Sequence, residues 1–71
     1  MIKVVEYRKP QGMQPEDLIT YGLYADTKAE VTEGATIVGM EAGEHIPAGS
    51  YVYTGDGNVA FRTSEDSWAW Q

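Results

Sequence analysis

The sequence predicts a small, mainly β, single-domain fold, in the form of a β-barrel, roll or sandwich that ends in a C-terminal β-meander. Three observations predict it. Short runs of β-branched and aromatic residues are bounded throughout by glycine, proline and acidic turn residues. Large residues alternate with small or polar ones over the last third of the chain. No segment sustains an apolar stripe at helical spacing.

The elements follow in order. Ile2 to Lys9 is rich in β-formers and is stopped by Pro10 and Gly12, which makes it an opening strand. Residues 11–17 read as a loop. Ile19 to Ala25 is apolar and aromatic and forms a second strand, in which Gly22 marks a bulge or a close approach. Residues 26–33 have two readings. Thr27 and Glu30 have capping-box spacing and Gly34 suits a C-cap, which favours a short helix; Val31 and Thr32 are poor helix formers, which favours a loop. Ala35 to Met40 is a third strand, followed by the polar turn Glu41 to His45.

The C-terminal third carries the clearest signal. Ile46-Pro47-Ala48-Gly49-Ser50 is a turn in which Pro47 presets φ and Gly49 can take a positive φ. Tyr51 to Thr54, then Gly55-Asp56-Gly57-Asn58, then Val59 to Thr63 form a hairpin. Ser64 to Ser67 turn the chain again into Trp68-Ala69-Trp70. Along this meander Tyr51 and Tyr53, Val59 and Phe61, and Trp68 and Trp70 each project as a pair from one face of their strand.

In domain terms, residues 1–17 are an N-terminal strand and loop, readable either as an arm or as the first strand of the chain's own sheet. Residues 18–71 are a compact β domain. At 71 residues such a domain buries only about 60 % of the surface of its unfolded chain, so docking or oligomerisation is expected to supplement its stability. With no cysteine, neither disulfides nor thiolate metal sites can do so. No apolar run reaches the length of a membrane span, and the charges of Lys3 and Glu6 interrupt any signal-peptide core. A soluble, unprocessed protein without a membrane partner is the expectation.

The charge is unevenly placed. Residues 1–9 hold Lys3, Arg8 and Lys9 against Glu6, a balance of +2, whereas residues 10–71 hold ten acids against Lys28 and Arg62, a balance of −8. The body therefore repels nucleic acid, and no cluster of basic residues offers a phosphate-binding surface.

Catalytic raw material is scarce. The one histidine, His45, sits in a turn beside Glu44 and has no identifiable partner; as a general base it would need Ser50 or Ser64 brought close. Asp56-Gly57-Asn58 resembles a fragment of a calcium loop but lacks the further oxygen ligands and the bidentate glutamate, and turn chemistry accounts for it. Neither a P-loop nor a dinucleotide fingerprint occurs. The expectation is a non-enzymatic protein with no catalytic, cofactor or metal site.

What remains is binding. Two tryptophans, five tyrosines and one phenylalanine are a large apolar resource for so short a chain, and Trp and Tyr are the residues that anchor interfaces. Trp68 and Trp70 either close the core as the last strand or anchor a partner. The partner-binding candidates are Ile2, Val4 and Tyr7 in the first strand and Tyr51, Tyr53, Phe61, Trp68 and Trp70 in the meander.

The line from Tyr24-Ala25-Asp26-Thr27-Lys28-Ala29-Glu30-Val31 through Ala48 to Thr54, and on to Val59-Ala60-Phe61 and Ser64 to Trp70, resembles the head decoration and head-fibre proteins of tailed phages, in which a compact β unit ends in a Trp-bearing strand. The resemblance covers roughly residues 20–70. It implies a trimeric or otherwise symmetric module seated on a capsid, located in the virion after expression in the host cytoplasm, with capsid protein or itself as partner. The alternative expectation is a small acidic inhibitor that covers the nucleic-acid-binding surface of a host defence protein. For that role Glu30, Glu33, Glu41, Glu44, Asp56, Glu65 and Asp66 should form a stripe at phosphate-like spacing.

Overall fold

In the computed structural model, residues 1–8, 20–41 and 43–71 are described. The strands are β1 (Ile2–Arg8), β2 (Thr20–Ala25), β3 (Ile37–Val38), β4 (Tyr51–Thr54), β5 (Val59–Arg62) and β6 (Trp68–Trp70). All six belong to one sheet, in the order β3-β1-β2-β4-β5-β6. The mainly β expectation holds, and the meander β4-β5-β6 is antiparallel throughout. The second layer of a sandwich is replaced by a connection. Residues 26–50 leave β2, pass to the far side of β1 as β3, which runs parallel to it, and return to add β4 parallel to β2.

That crossover covers one face of the sheet. Beneath it Ile2, Leu23, Ala25, Val52 and Ala60 form the fully buried core, with Val31, Ala35, Ile37, Met40 and Ile46 of the crossover packed against them. Trp68 and Trp70 are half-buried on the same side. Register explains the layout: Val4, Leu23, Val52, Ala60 and Trp70 pair in turn as one row across the covered face, and Ile2, Ala25 and Thr54 as a second row beside it.

Two irregularities set which side chains face where. In β1, Val4 pairs with Leu23 and Glu6 with Gly22, leaving Val5 as an extra residue. This bulge lies opposite Gly22 rather than at it, and it turns Glu6 away from the core face that simple alternation after Ile2 and Val4 would give it. Gly22 itself is the close approach: a Cβ there would lie 2.6 Å from Cζ of Tyr51 and 3.0 Å from Cβ of Glu6. The missing side chain lets the Tyr51 ring lie flat across β2.

Two elements are shorter than the sequence reading allows. The third strand, expected over residues 35–40, is reduced to Ile37–Val38. Gly39 takes φ 100°, and Met40 N–H donates to the Ile37 carbonyl at 3.2 Å, so a tight turn ends the strand. The segment 26–33 contains a single three-residue 3₁₀ turn, Lys28–Glu30. Its N-cap, Thr27, makes no side-chain bond; the Glu30 carboxylate instead accepts the Asp26 N–H at 2.8 Å, so half of the capping box forms one residue earlier. With no apolar stripe to bury, nothing prolongs the turn.

Of the N-terminal segment, Ile2–Arg8 is hydrogen-bonded to β3 on one side and β2 on the other. It is thus a strand of the chain's own sheet, although β3 pairs only with Ile2 and Lys3, and from Val4 to Arg8 that edge has no strand partner among the described residues. The remainder of the arm proposed over residues 1–17 lies outside the described residues from Lys9 onward.

Candidate interaction face

The side chains that alternate away from the core form a second face with no crossover on it. Two rows cross it. The first is Val38, Lys3, Tyr24, Tyr53 and Val59, on β3, β1, β2, β4 and β5; the second is Glu6, Gly22, Tyr51, Phe61 and Ala69, on β1, β2, β4, β5 and β6. Val38 is 52 % exposed, Phe61 47 %, Tyr53 41 % and Val59 37 %.

The aromatic rings lie down on this face instead of standing off it. Tyr51 crosses Gly22 and its hydroxyl donates to Oε1 of Glu6 at 3.1 Å. Partial burial, and secondarily this bond, raise the Tyr51 pKa above the ordinary tyrosine value. Tyr24 and Tyr53 meet edge to face, with centroids 5.1 Å apart and planes at 64°, and the Lys3 ammonium lies 5.9 Å above the Tyr24 ring. The outcome is a low aromatic tile whose charges among the described residues, Lys3, Glu6 and Arg8, all sit on β1.

The predicted binding residues thus separate. Tyr51, Tyr53 and Phe61 come together on the open face. Ile2 is buried in the core, and Val4, Trp68 and Trp70 pack against it from the covered side. The two tryptophans are each covered by a cation, Lys28 at 4.9 Å from the Trp70 ring and Arg62 at 5.1 Å from the Trp68 ring. Tyr7 lies beyond the bulge, exposed, edge-on to Tyr21 at 5.4 Å. Sequence reading missed Tyr24, Val38 and Val59 as parts of the face. Their signal was alternation within each strand, but only the register across strands joins them.

A cavity of about 420 Å³ opens on the opposite side, between the crossover and the sheet. Its floor includes Ile2, Leu23 and Trp68, and its rim includes Glu33, Glu44 and Asp66. Here the expectation for His45 is corrected: it does have a partner, since its Nε2 lies 2.7 Å from Oδ1 of Asp66. That contact holds the Asp66 carboxyl below its ordinary value. The pair was invisible in sequence because 21 residues separate its members. Neither serine that His45 would need as a base lines this cavity. Ser50 is buried elsewhere, its Oγ accepting the Tyr21 N–H at 3.0 Å, where it stabilises the junction of β2 and β4.

The Asp56 turn is explained by local bonding. Its carboxylate accepts from the Thr54 hydroxyl, from the Lys28 N–H at 3.2 Å and from the Asn58 amide at 3.2 Å, which lowers its pKa. Gly57 takes φ 91° between them. Among the described residues no group of three or more His, Cys, Asp or Glu could hold a metal ion.

Tyr21 supplies a measurable signature of the cavity rim. Its hydroxyl donates to the Glu44 carboxylate, and this bond, with burial second, pushes the tyrosine pKa up to about 12. The same bond lowers the pKa of Glu44. Because the tyrosine pKa is raised on folding, the bond's contribution is complete below the ordinary value of about 10 and is lost as pH rises through about 12. On the acid side Glu44 is depressed, so its contribution is lost as pH falls below the ordinary carboxylate range. Absorbance at 295 nm should still be rising near pH 12, and Glu44→Gln should remove that late component. A titration curve indifferent to Glu44→Gln would show that the bond does not form in solution.

Comparison with protein-family models, with curated proteins and with solved structures finds no match to this chain.

Proposed function

We propose that this chain is a non-enzymatic structural module of a tailed-phage virion, a capsid decoration or head-fibre protein that acts through protein–protein contact at the open sheet face. The observation that carries this reading is the face itself. A tile of aromatic and aliphatic side chains, spanning five strands and, among the described residues, charged at β1 alone, is exposed on a chain with a formal charge of −6. Exposed apolar surface organised in this way marks an interaction site. Covering the exposed half of Phe61, about 100 Å², stabilises a complex by roughly 2 kcal/mol. The Trp-bearing last strand is the feature on which the resemblance to virion proteins rests.

The acidic-inhibitor reading has less support. Of its seven acids, four are engaged inside the chain: Glu30 with the Met1 ammonium and Asp26 N–H, Glu44 with Tyr21, Asp56 with Thr54, and Asp66 with His45. Six of them also fall into two groups. Glu30 shares the turn of Lys28, whose N–H donates to Asp56, while Glu33, Glu41, Glu44 and Asp66 line the cavity.

The test is co-sedimentation with shells assembled from the major capsid protein encoded in the same gene neighbourhood. The wild-type chain should pellet with shells saturably. Phe61→Asp, which places a charge in the middle of the tile, should weaken that binding roughly tenfold or more while leaving the thermal midpoint nearly unchanged. Absence of wild-type binding would sink the virion reading.

A further inference from the structure

We infer that the open face pairs with the same face of a second copy of this chain, related by a two-fold axis that crosses the strands at right angles between the two rows. The inference rests on the reading of that face as a contact surface and names a second occupant for it: in the free chain the face closes on another copy, and capsid binding through it competes with that reversible pairing.

Charge segregation favours a second copy over another protein. Among the described residues, Lys3, Glu6 and Arg8 give the face +1, while the others hold Lys28 and Arg62 against eight acids, a balance of −6. A basic partner is drawn to that remainder rather than to the tile. An apolar face that carries one Lys3 and one Glu6 side by side suits a second such face. Pairing two copies at the usual sheet spacing of about 10 Å leaves both crossovers outermost, roughly 30 Å apart. At a screening length of about 8 Å their acids no longer oppose one another strongly.

The rows are self-complementary about that axis. Rotation lays the first row of one copy over the second row of the other. Lys3 then meets Glu6 of the other copy, and Glu6 meets Lys3, an ion pair made twice. Tyr53 lies over Tyr51, Val59 over Phe61, and Tyr24 over the part of the Tyr51 ring that crosses Gly22. A two-fold interface must bring each patch against itself in this way. The bulge at Val5 is what makes the charge match available, because it turns Glu6 onto the face with Lys3. Two open single sheets become one closed sandwich, and the thin core of each copy gains a second apolar layer. The face is near the small end of stable interfaces, so the pair is a reversible one with micromolar affinity.

Sedimentation equilibrium from low to high micromolar concentration, without capsid, reads the pairing directly. The wild-type chain is expected to run as a monomer–dimer equilibrium. Lys3→Glu, which faces Glu6 of the other copy with a like charge, should weaken it roughly tenfold, and the exchange Lys3→Glu with Glu6→Lys should restore it to within about threefold. Phe61→Asp should abolish it. A strict monomer, a trimer, a dimer indifferent to Phe61→Asp, or an exchange variant no better than Lys3→Glu alone would each overturn the inference. Capsid-shell binding that persists in such a monomer would leave the proposed function standing, so the two failures are distinguishable.

Discussion

Leu23→Ala is expected to lower the unfolding free energy by about 3 kcal/mol and the thermal midpoint by roughly 12–24 °C. Leu23 is 1 % exposed and lies at the centre of the covered face, opposite Val52 on β4 and Val4 on β1. Its loss leaves a cavity between sheet and crossover that a parallel-joined strand cannot easily collapse to fill. A chain of 71 residues has a net stability of about 4–10 kcal/mol, so this one change removes a third or more of it. Thermal unfolding followed by circular dichroism checks the value. Val59→Ala, on the open face, serves as reference and should shift stability by no more than about 0.5 kcal/mol in the isolated chain. Equal losses at the two positions would mean that the crossover does not seal the face that holds Leu23.

The second large effect is expected at Gly39. Gly39→Val should cost about 2–3 kcal/mol, because two terms add. The residue takes φ 100°, which a β-branched side chain adopts only under strain. A Cβ there would also lie 3.2 Å from Cβ of Val4, whose backbone is paired with Leu23 of β2. Gly34→Ala provides the control: its φ is 77°, but nothing lies within 4 Å of the added atom, so it should cost only about 1 kcal/mol. Denaturant unfolding of both variants separates strain from collision. If the two lose the same amount, the contact with Val4 contributes nothing and the turn is held by glycine's conformational freedom alone.

Strand existence was largely legible in the sequence because it depends on local chemistry. Tyr51 to Thr54, Val59 to Arg62 and Trp68 to Trp70 are set by alternation within a few residues and by the glycines between them. The third strand was overestimated for the same reason. Ala35 to Met40 looks continuous in composition, and only the conformation taken up at Gly39, against Val4 of β1, cuts it to two residues.

The site was legible only in part. Alternation states that Tyr51 and Tyr53 share a face and that Trp68 and Trp70 share a face, but not which of those faces is covered. The pairing of Val52 with Ala60 and of Ala60 with Trp70 decides this: it puts the tryptophans beneath the crossover and the tyrosines on the open side. The most conspicuous residues of the sequence are therefore core-packing residues. The less conspicuous Tyr24, Val38 and Val59 complete the candidate face.

By itself, then, the sequence determined the β class, the meander, the turns and the acidic balance, all of which follow from neighbours along the chain. The tertiary structure alone decided the strand order, the bulge at Val5, the partner of His45 and the identity of the open face. The physical reason is that each of these depends on where residues 26–50 pass. A parallel join of β2 to β4 requires a crossover, and whichever face that crossover seals becomes the core, leaving the other exposed.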